Sequence, residues 1–469
     1  MSSSVLFYNA CLADCCQNGP GALLVDDGKI QNVFSGDFSD REKAAELCSR
    51  SADKTVTAEK PALYDCCGLV LMPAFIDMHV HFRYPGLTQK EDLNTGLRAA
   101  VAGGFCTVVA MPNTKPVVSS EHMAAEIECE GSTYGLARLY QTVSLTRDFG
   151  GTDTSHLDNL DRMKVPVVSE DGHDVADAAV MLDAMRKAAA ENIIVSCHSE
   201  DTALAAAAKP YREKALSIMR TYSIPAWGEC SGRTDIPLSA EKEIDDSLAE
   251  ANRLLALAED TATERNLEIA RLAGCRIHIA HVSTKRSMEA VERAKRERPS
   301  FVTCEVTPHH LALCGTEAPF IRALVNPPLR SEEDRRTLIE ALRNGTADVI
   351  STDHAPHTMA DKAAGSPGFT GLETAFAVCC SVLVHQERFS LESLSACMSA
   401  HPACILDLKK GRLLTGYDAD LVLVDPEEEW TVDAAAFASK GKASPFNGTM
   451  LRGRVHATFI GGRAVFTAA

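Results

Sequence analysis

The chain has 469 residues, more than one ordinary core fills, so a large domain with a smaller companion is expected. Hydrophobic residues make up 45% and charged residues 24%, as in a globular protein with an apolar core. A net charge of −17 argues against general affinity for nucleic acid or an anionic membrane surface.

The first stretch, "MSSSVLFYNACLADCC", has no basic segment and no cleavage site, so no secretory signal is expected. The 17 cysteines are odd in number, scattered and without C-x-x-C spacing. Reduced thiols in a cytoplasmic protein are the economical reading. "GALLVDDGKIQNVFSG" then predicts a β-hairpin turning at Asp27-Gly28.

From Phe75 onward, short β-branched runs alternate with helical stretches. The runs are "AFIDMH", "CTVVAM", "ARLYQTV", "VPVVSE", "NIIVSCH", "RIHIAH", "FVTCEVT" and "ADVISTD". Eight such runs separated by helices predict an α/β fold, a (β/α)8 TIM barrel. Residues 202–274 exceed one crossover. They read as a barrel helix preceded by an inserted loop, "SIPAWGECSGRTDIP", that is a candidate lid. The longest apolar run, "AFAVCCSVLV", is too short to cross a bilayer. "ADLVLVDPEEEWTVD" and "LRGRVHATFIGGRAVF" return to strand patterning at the far end. Both chain ends are expected to pair into a small β-sandwich, giving a sandwich of 1–68 and 412–469 beside a barrel of 69–411.

In such a barrel, active-site residues stand at the carboxyl ends of the strands. The first strand ends in His79 and His81, two residues apart and therefore on one face. The fourth offers Glu170, Asp171 and His173, the fifth His198, the sixth His281 and the eighth Asp353. Imidazole and carboxylate without thiolate suit one or two zinc-like ions in an open catalytic site, with Asp171 able to bridge a pair. Such an ion lowers the pKa of its water from about 15.7 to about 7, so hydroxide becomes the nucleophile. Asp353 could take that water's proton and pass it to a leaving nitrogen. Three other candidates read more plainly. His278 reads as a core histidine, His309 and His310 as loop-orienting residues, and Glu170 as pointing at the helix layer.

The motifs "DMHVHFRYPG", "GGFCTVVAMPNT", "VTCEVTPHHL", "NPPLRSEEDR", "STDHAPH", "GLETAF" and "GRLLTGYDADLVLVD" together resemble the amidohydrolase superfamily. Within it they resemble the longer type of dihydroorotase. The resemblance spans nearly the whole chain. It implies a zinc enzyme of pyrimidine synthesis that interconverts N-carbamoyl-L-aspartate and L-dihydroorotate. It also implies that His79 and His81 hold one ion and His198 and His281 the other, with Asp353 as ligand and general acid/base. Arg83 and Asn113 would receive the substrate carboxylate, and Asn326 and His357 would line the rest of the pocket. Arginine beside the metal suits a carboxylate, because its fork donates two parallel bonds. Many superfamily members bridge their metals with a carboxylated lysine from the fourth strand. Here Lys164 lies at that strand's other end, and Asp171 in "EDG" matches the aspartate some dihydroorotases use. The small-molecule substrate is the expected partner, with a homodimer or an aspartate carbamoyltransferase as open alternatives. Rival readings are a hydantoinase, dihydropyrimidinase or allantoinase, or a catalytically silent structural homologue.

Overall fold

The computed structural model describes residues 4–51, 60–222, 224, 236–315 and 324–468. All eight expected barrel strands are there: β1 (Phe75–Val80), β2 (Phe105–Ala110), β3 (Arg138–Gln141) and β4 (Val167–Ser169), then β5 (Ile194–Cys197), β6 (Arg276–Ile279), β7 (Val302–Val306) and β8 (Val349–Ile350). β1 to β3 pair in parallel, as do β4 to β8. Parallel bridges Val80–His354 and Val143–Val168 join the two groups into a ring. Every residue of β1, β2, β4 and β5 is buried, as a parallel sheet covered on both faces requires. This explains runs without polar alternation.

Local chemistry sets where the helices start. Asp92 and Thr95 form a reciprocal capping box on helix Leu93–Ala102, satisfying backbone N–H groups that have no partner within the helix. At the start of β2 the Gly103-Gly104 pair lets the chain turn tightly. Gly104 has φ +88°, and a Cβ there would stand 2.8 Å from the Phe75 ring.

The terminal segments form one hydrogen-bonded sheet of eight strands. Its path runs 463–467, 450–460, 421–431, 70–73, 5–14, 17–26 and 29–35, with 62–65 paired to 5–14. The sheet curls on itself. Phe7 and Phe459 lie on strands that are not neighbours in this path, yet their rings meet edge to face at 5.0 Å. The hairpin turns where expected, with Asp26 paired to Lys29 and both Asp27 and Gly28 at positive φ. Strand Val70–Pro73 pairs with this sheet rather than with the barrel.

The long crossover holds two helices. The first, Thr202–Thr221, is capped by the Asp201 side chain and lies before the expected loop. The barrel helix itself runs 36 residues, Leu238–Ala273, and stops at Gly274 in the left-handed conformation. The two helices share an apolar seam of Ala215, Met219, Ile244 and Leu248. Of the candidate lid, 223–237, most residues lie outside those described. Among the described residues no helix is long and apolar enough to cross a membrane, and no cysteine is in a disulfide.

Candidate active site

The strand ends converge as the spacing of their histidines predicts. His79 Nε2 lies 3.2 Å from Asp171 Oδ1, and His81 Nε2 lies 3.4 Å from Asp171 Oδ2. The same Asp171 Oδ1 also meets His198 Nδ1 at 3.4 Å and His281 Nε2 at 3.9 Å. Two trios result, His79–His81–Asp171 and Asp171–His198–His281, each with donor atoms within 4.8 Å of one another. Asp353 Oδ1 closes the rim, 3.1 Å from His81 Nε2 and 3.6 Å from His79 Nε2.

Whether these groups suit a divalent ion can be judged from their pairing. His79 Nε2, Asp171 Oδ1 and His198 Nε2 are buried and have no hydrogen-bond partner. Buried polar atoms are nearly always satisfied, so the facing orphans His79 Nε2 and Asp171 Oδ1 mark a seat for something else, while His198 Nε2 is turned toward Glu200. Electrostatics agree. Burial alone would lower the His79 pKa, but Asp171 and Glu305 outweigh it and hold that ring well above the usual imidazole range. His198 is held at about 10 against its burial by Asp171 and Glu200. His281 is pushed down to about 4 by burial, with His198 and His79 beside it adding to the shift. Burial would raise Asp353, yet the His81 hydrogen bond and the charge on His79 bring it to about 2. The carboxylates attract positive charge strongly enough to overcome burial, and a metal cation would feel the same field. The donor set fits.

Several assignments sharpen. Asn113 Oδ1 accepts from His81 Nδ1 at 2.9 Å, which leaves Nε2 free to face Asp171. Its Nδ2 makes a long 3.4 Å contact to Asp171 Oδ2. Glu170 turns away from Asp171, but toward the loop after β3, where it accepts from Thr146 N at 2.8 Å, rather than toward the helix layer. His173 is exposed and stacks near Phe149, outside both trios. Lys164 pairs with Glu121 at 2.6 Å and is far from any trio. His310 does orient a loop, its Nε2 lying 3.2 Å from Pro327 O, while His309 is buried with its Nε2 unpaired.

Beside the trios lies a donor-rich arm. Arg83 Nη2 is 3.4 Å from His357 Nε2, and Lys90 Nζ is 3.3 Å from His357 Nδ1. Burial and these two cations push His357 down to about 3, so a neutral imidazole sits between them. Arg83 itself has φ +57° and donates from Nε to Pro356 O at 3.4 Å, and among the described residues its guanidinium forms no ion pair with a carboxylate. Asn326 stands across the site, donating to Glu200 Oε2 at 2.9 Å. Sequence reasoning missed Lys90, Glu200 and Glu305. Lys90 and Glu200 follow motif residues closely enough to have been noticed. Nothing local distinguishes Glu305.

The sequence profile of the amidohydrolase family matches residues 70–465. The chain belongs to the amidohydrolase family. It is a hydrolase acting on cyclic amides. Among curated relatives, a dihydroorotase of Clostridium botulinum (strain Eklund 17B / Type B) is 35% identical over 460 residues, covering 98% of both chains. A dihydroorotase of Anaeromyxobacter dehalogenans (strain 2CP-1) is 37% identical over 456 residues, covering 96% of this chain and 94% of its own. Among solved structures, an L-hydantoinase (dihydropyrimidinase) from Arthrobacter aurescens superposes with TM-score 0.78 at 24% identity, covering 100% of this chain and 98% of that one. At that identity the superposition speaks for the fold alone. The family is generally metal-dependent, in keeping with the two trios.

Proposed function

We propose that this amidohydrolase is a dihydroorotase, closing N-carbamoyl-L-aspartate to L-dihydroorotate and opening it again in pyrimidine synthesis. The observation that carries the reading is Arg83, half-buried beside the trios, next to His357 and, among the described residues, without a carboxylate in direct ion-pair contact. An enclosed guanidinium without an anionic partner is costly, and a substrate carboxylate would relieve that cost. Neutral hydantoin and dihydropyrimidine rings bring no such group. The dihydroorotase names of relatives at 35–37% identity point the same way.

In this reading the catalytic barrel lies within residues 69–411, of which strand Val70–Pro73 belongs to the terminal sheet, and 1–68 with 412–469 form the rest of its companion. His79, His81, Asp171, His198, His281 and Asp353 hold one or two zinc ions, a choice favoured by their imidazole and carboxylate donors. When bound, zinc supplies Lewis acidity and makes water a usable nucleophile near neutral pH. The chain's own residues do the rest. Arg83 receives the substrate carboxylate through two parallel N–H bonds, and Asn113 adds an N–H that Asp171 does not use. His357 and Asn326 bound the ring on either side. On ring opening, water adds to the amide carbonyl carbon and the C–N bond breaks. Asp353 takes the proton from the water and returns it to the leaving nitrogen; on closure the order reverses.

Turnover of L-dihydroorotate by zinc-loaded protein, followed as ultraviolet loss beside dihydrouracil and hydantoin, tests this. Preference for the carboxylated ring is expected. Equal or faster turnover of the neutral rings would overturn it.

A further inference from the structure

The geometry points to Glu305 as a positioning residue that sets ligands of both trios at once and thereby couples their metal affinities. The inference rests on reading the trios as seats for divalent ions. Glu305 is a fully buried carboxylate in β7, outside both trios. Its Oε1 accepts from His79 Nδ1 at 2.7 Å and from the backbone N–H of His281 at 3.2 Å. One oxygen therefore touches a ligand of the first trio and the main chain of a ligand of the second.

Each contact has a definite consequence. A carboxylate at Nδ1 fixes the His79 proton there, so Nε2 presents its lone pair to the centre and the ring becomes a stronger ligand. That Nε2 is among the buried atoms with no hydrogen-bond partner. His281 has φ +32°, a backbone conformation that costs energy for a non-glycine residue and persists only when its surroundings enforce it. The Glu305 bond to its N–H is part of that enforcement.

Glu305 is itself held. Its Oε2 lies 3.2 Å from His278 Nε2, and His278 Nδ1 lies 2.8 Å from Thr303 Oγ1. His278 Nε2–H donates to Glu305, and its Nδ1 meets the Thr303 hydroxyl, which also lies 3.4 Å from Ile277 O. His278 is thus more than a core histidine. It is the outer support of the metal centre, placed opposite Thr303 by the β6–β7 register.

The test is zinc binding to metal-free protein by competition with a chromophoric chelator, together with the melting temperature of the metal-free form. Glu305→Gln keeps the shape and removes the charge. Both dissociation constants are expected to rise about 10- to 100-fold, while the metal-free melting temperature stays close to wild type. His278→Asn, which touches no ligand, is expected to shift both constants the same way by less, and it supplies the answer should Glu305→Gln fail to fold. Unchanged constants, or weakening of one binding step alone, would overturn the coupling while leaving the proposed function standing. Absence of zinc uptake by the wild type would overturn both.

Discussion

Two buried polar clusters on the same end of the barrel contrast in one respect. Around Glu259, every group is closed by the protein. Its Oε1 accepts from Ser283 N at 2.8 Å and Thr284 N at 3.0 Å, and its Oε2 accepts from Arg330 Nη2 at 3.1 Å. Arg330 also donates to Ser283 Oγ at 2.9 Å and to Asn252 O at 3.1 Å. Around Asp171 the opposite holds: carboxylates and imidazoles face one another with atoms left unpaired. The Glu259 cluster ties the long helix Leu238–Ala273 to the loop after β6 and needs nothing more. The Asp171 cluster keeps unpaired donor atoms of the kind that suit a cation. Burial of charge alone does not mark a functional site; burial with unmet pairing does.

The contrast can be broken from either side. The largest effect is expected at the open cluster: Asp353→Asn should lower the rate of dihydroorotate opening about 10²- to 10⁴-fold in steady-state assays. At the closed cluster, Arg330→Met should leave activity per folded molecule intact but cost about 3–5 kcal/mol in denaturant unfolding, because buried Glu259 loses its countercharge. Pairing it with Glu259→Met should restore most of that loss. Between the two clusters, Arg83→Met should raise KM for the carboxylated ring about 10- to 100-fold, the loss of a charge-assisted contact, and barely alter slow turnover of a neutral ring. A neutral-ring KM that rises equally would tie Arg83 to the scaffold instead.

The smallest effect concerns pH. Burial would raise the Glu259 pKa, but Arg330 and the Ser283 and Thr284 donors bring it below its ordinary value of 4.5. A depressed carboxylate contributes stability that is present above 4.5 and lost as pH falls through the folded value. The Glu259→Met/Arg330→Met protein should therefore lose less stability than wild type when denaturant unfolding is compared at pH 6 and pH 3.5. Equal losses would assign the acid sensitivity elsewhere.

Sequence foretold which side chains converge where the strand period fixes their direction. His79 and His81 share a face because they are two residues apart, and His198, His281 and Asp353 each end a recognisable apolar run. Asp171 stood out because the strand carried no lysine at that end. The same period hid Glu305. In "VTCEVT" it alternates like any strand residue, and its partners His79, His278 and His281 come from β1 and β6. Glu170 was misdirected for a related reason: alternation says which way a side chain leaves the strand, not which loop it meets.

By itself the sequence determined the barrel, the curled terminal sheet, the metal-type ligands and the family, since these depend on periodicity and on residues near one another along the chain. Only the tertiary structure decided which carboxylate braces the trios from behind, and that a second helix, Thr202–Thr221, packs against Leu238–Ala273. Those outcomes depend on strand register and on contacts between residues far apart in the chain. Hydrophobic patterning sets which face of each strand is buried, but the side chains that meet across it are chosen by packing.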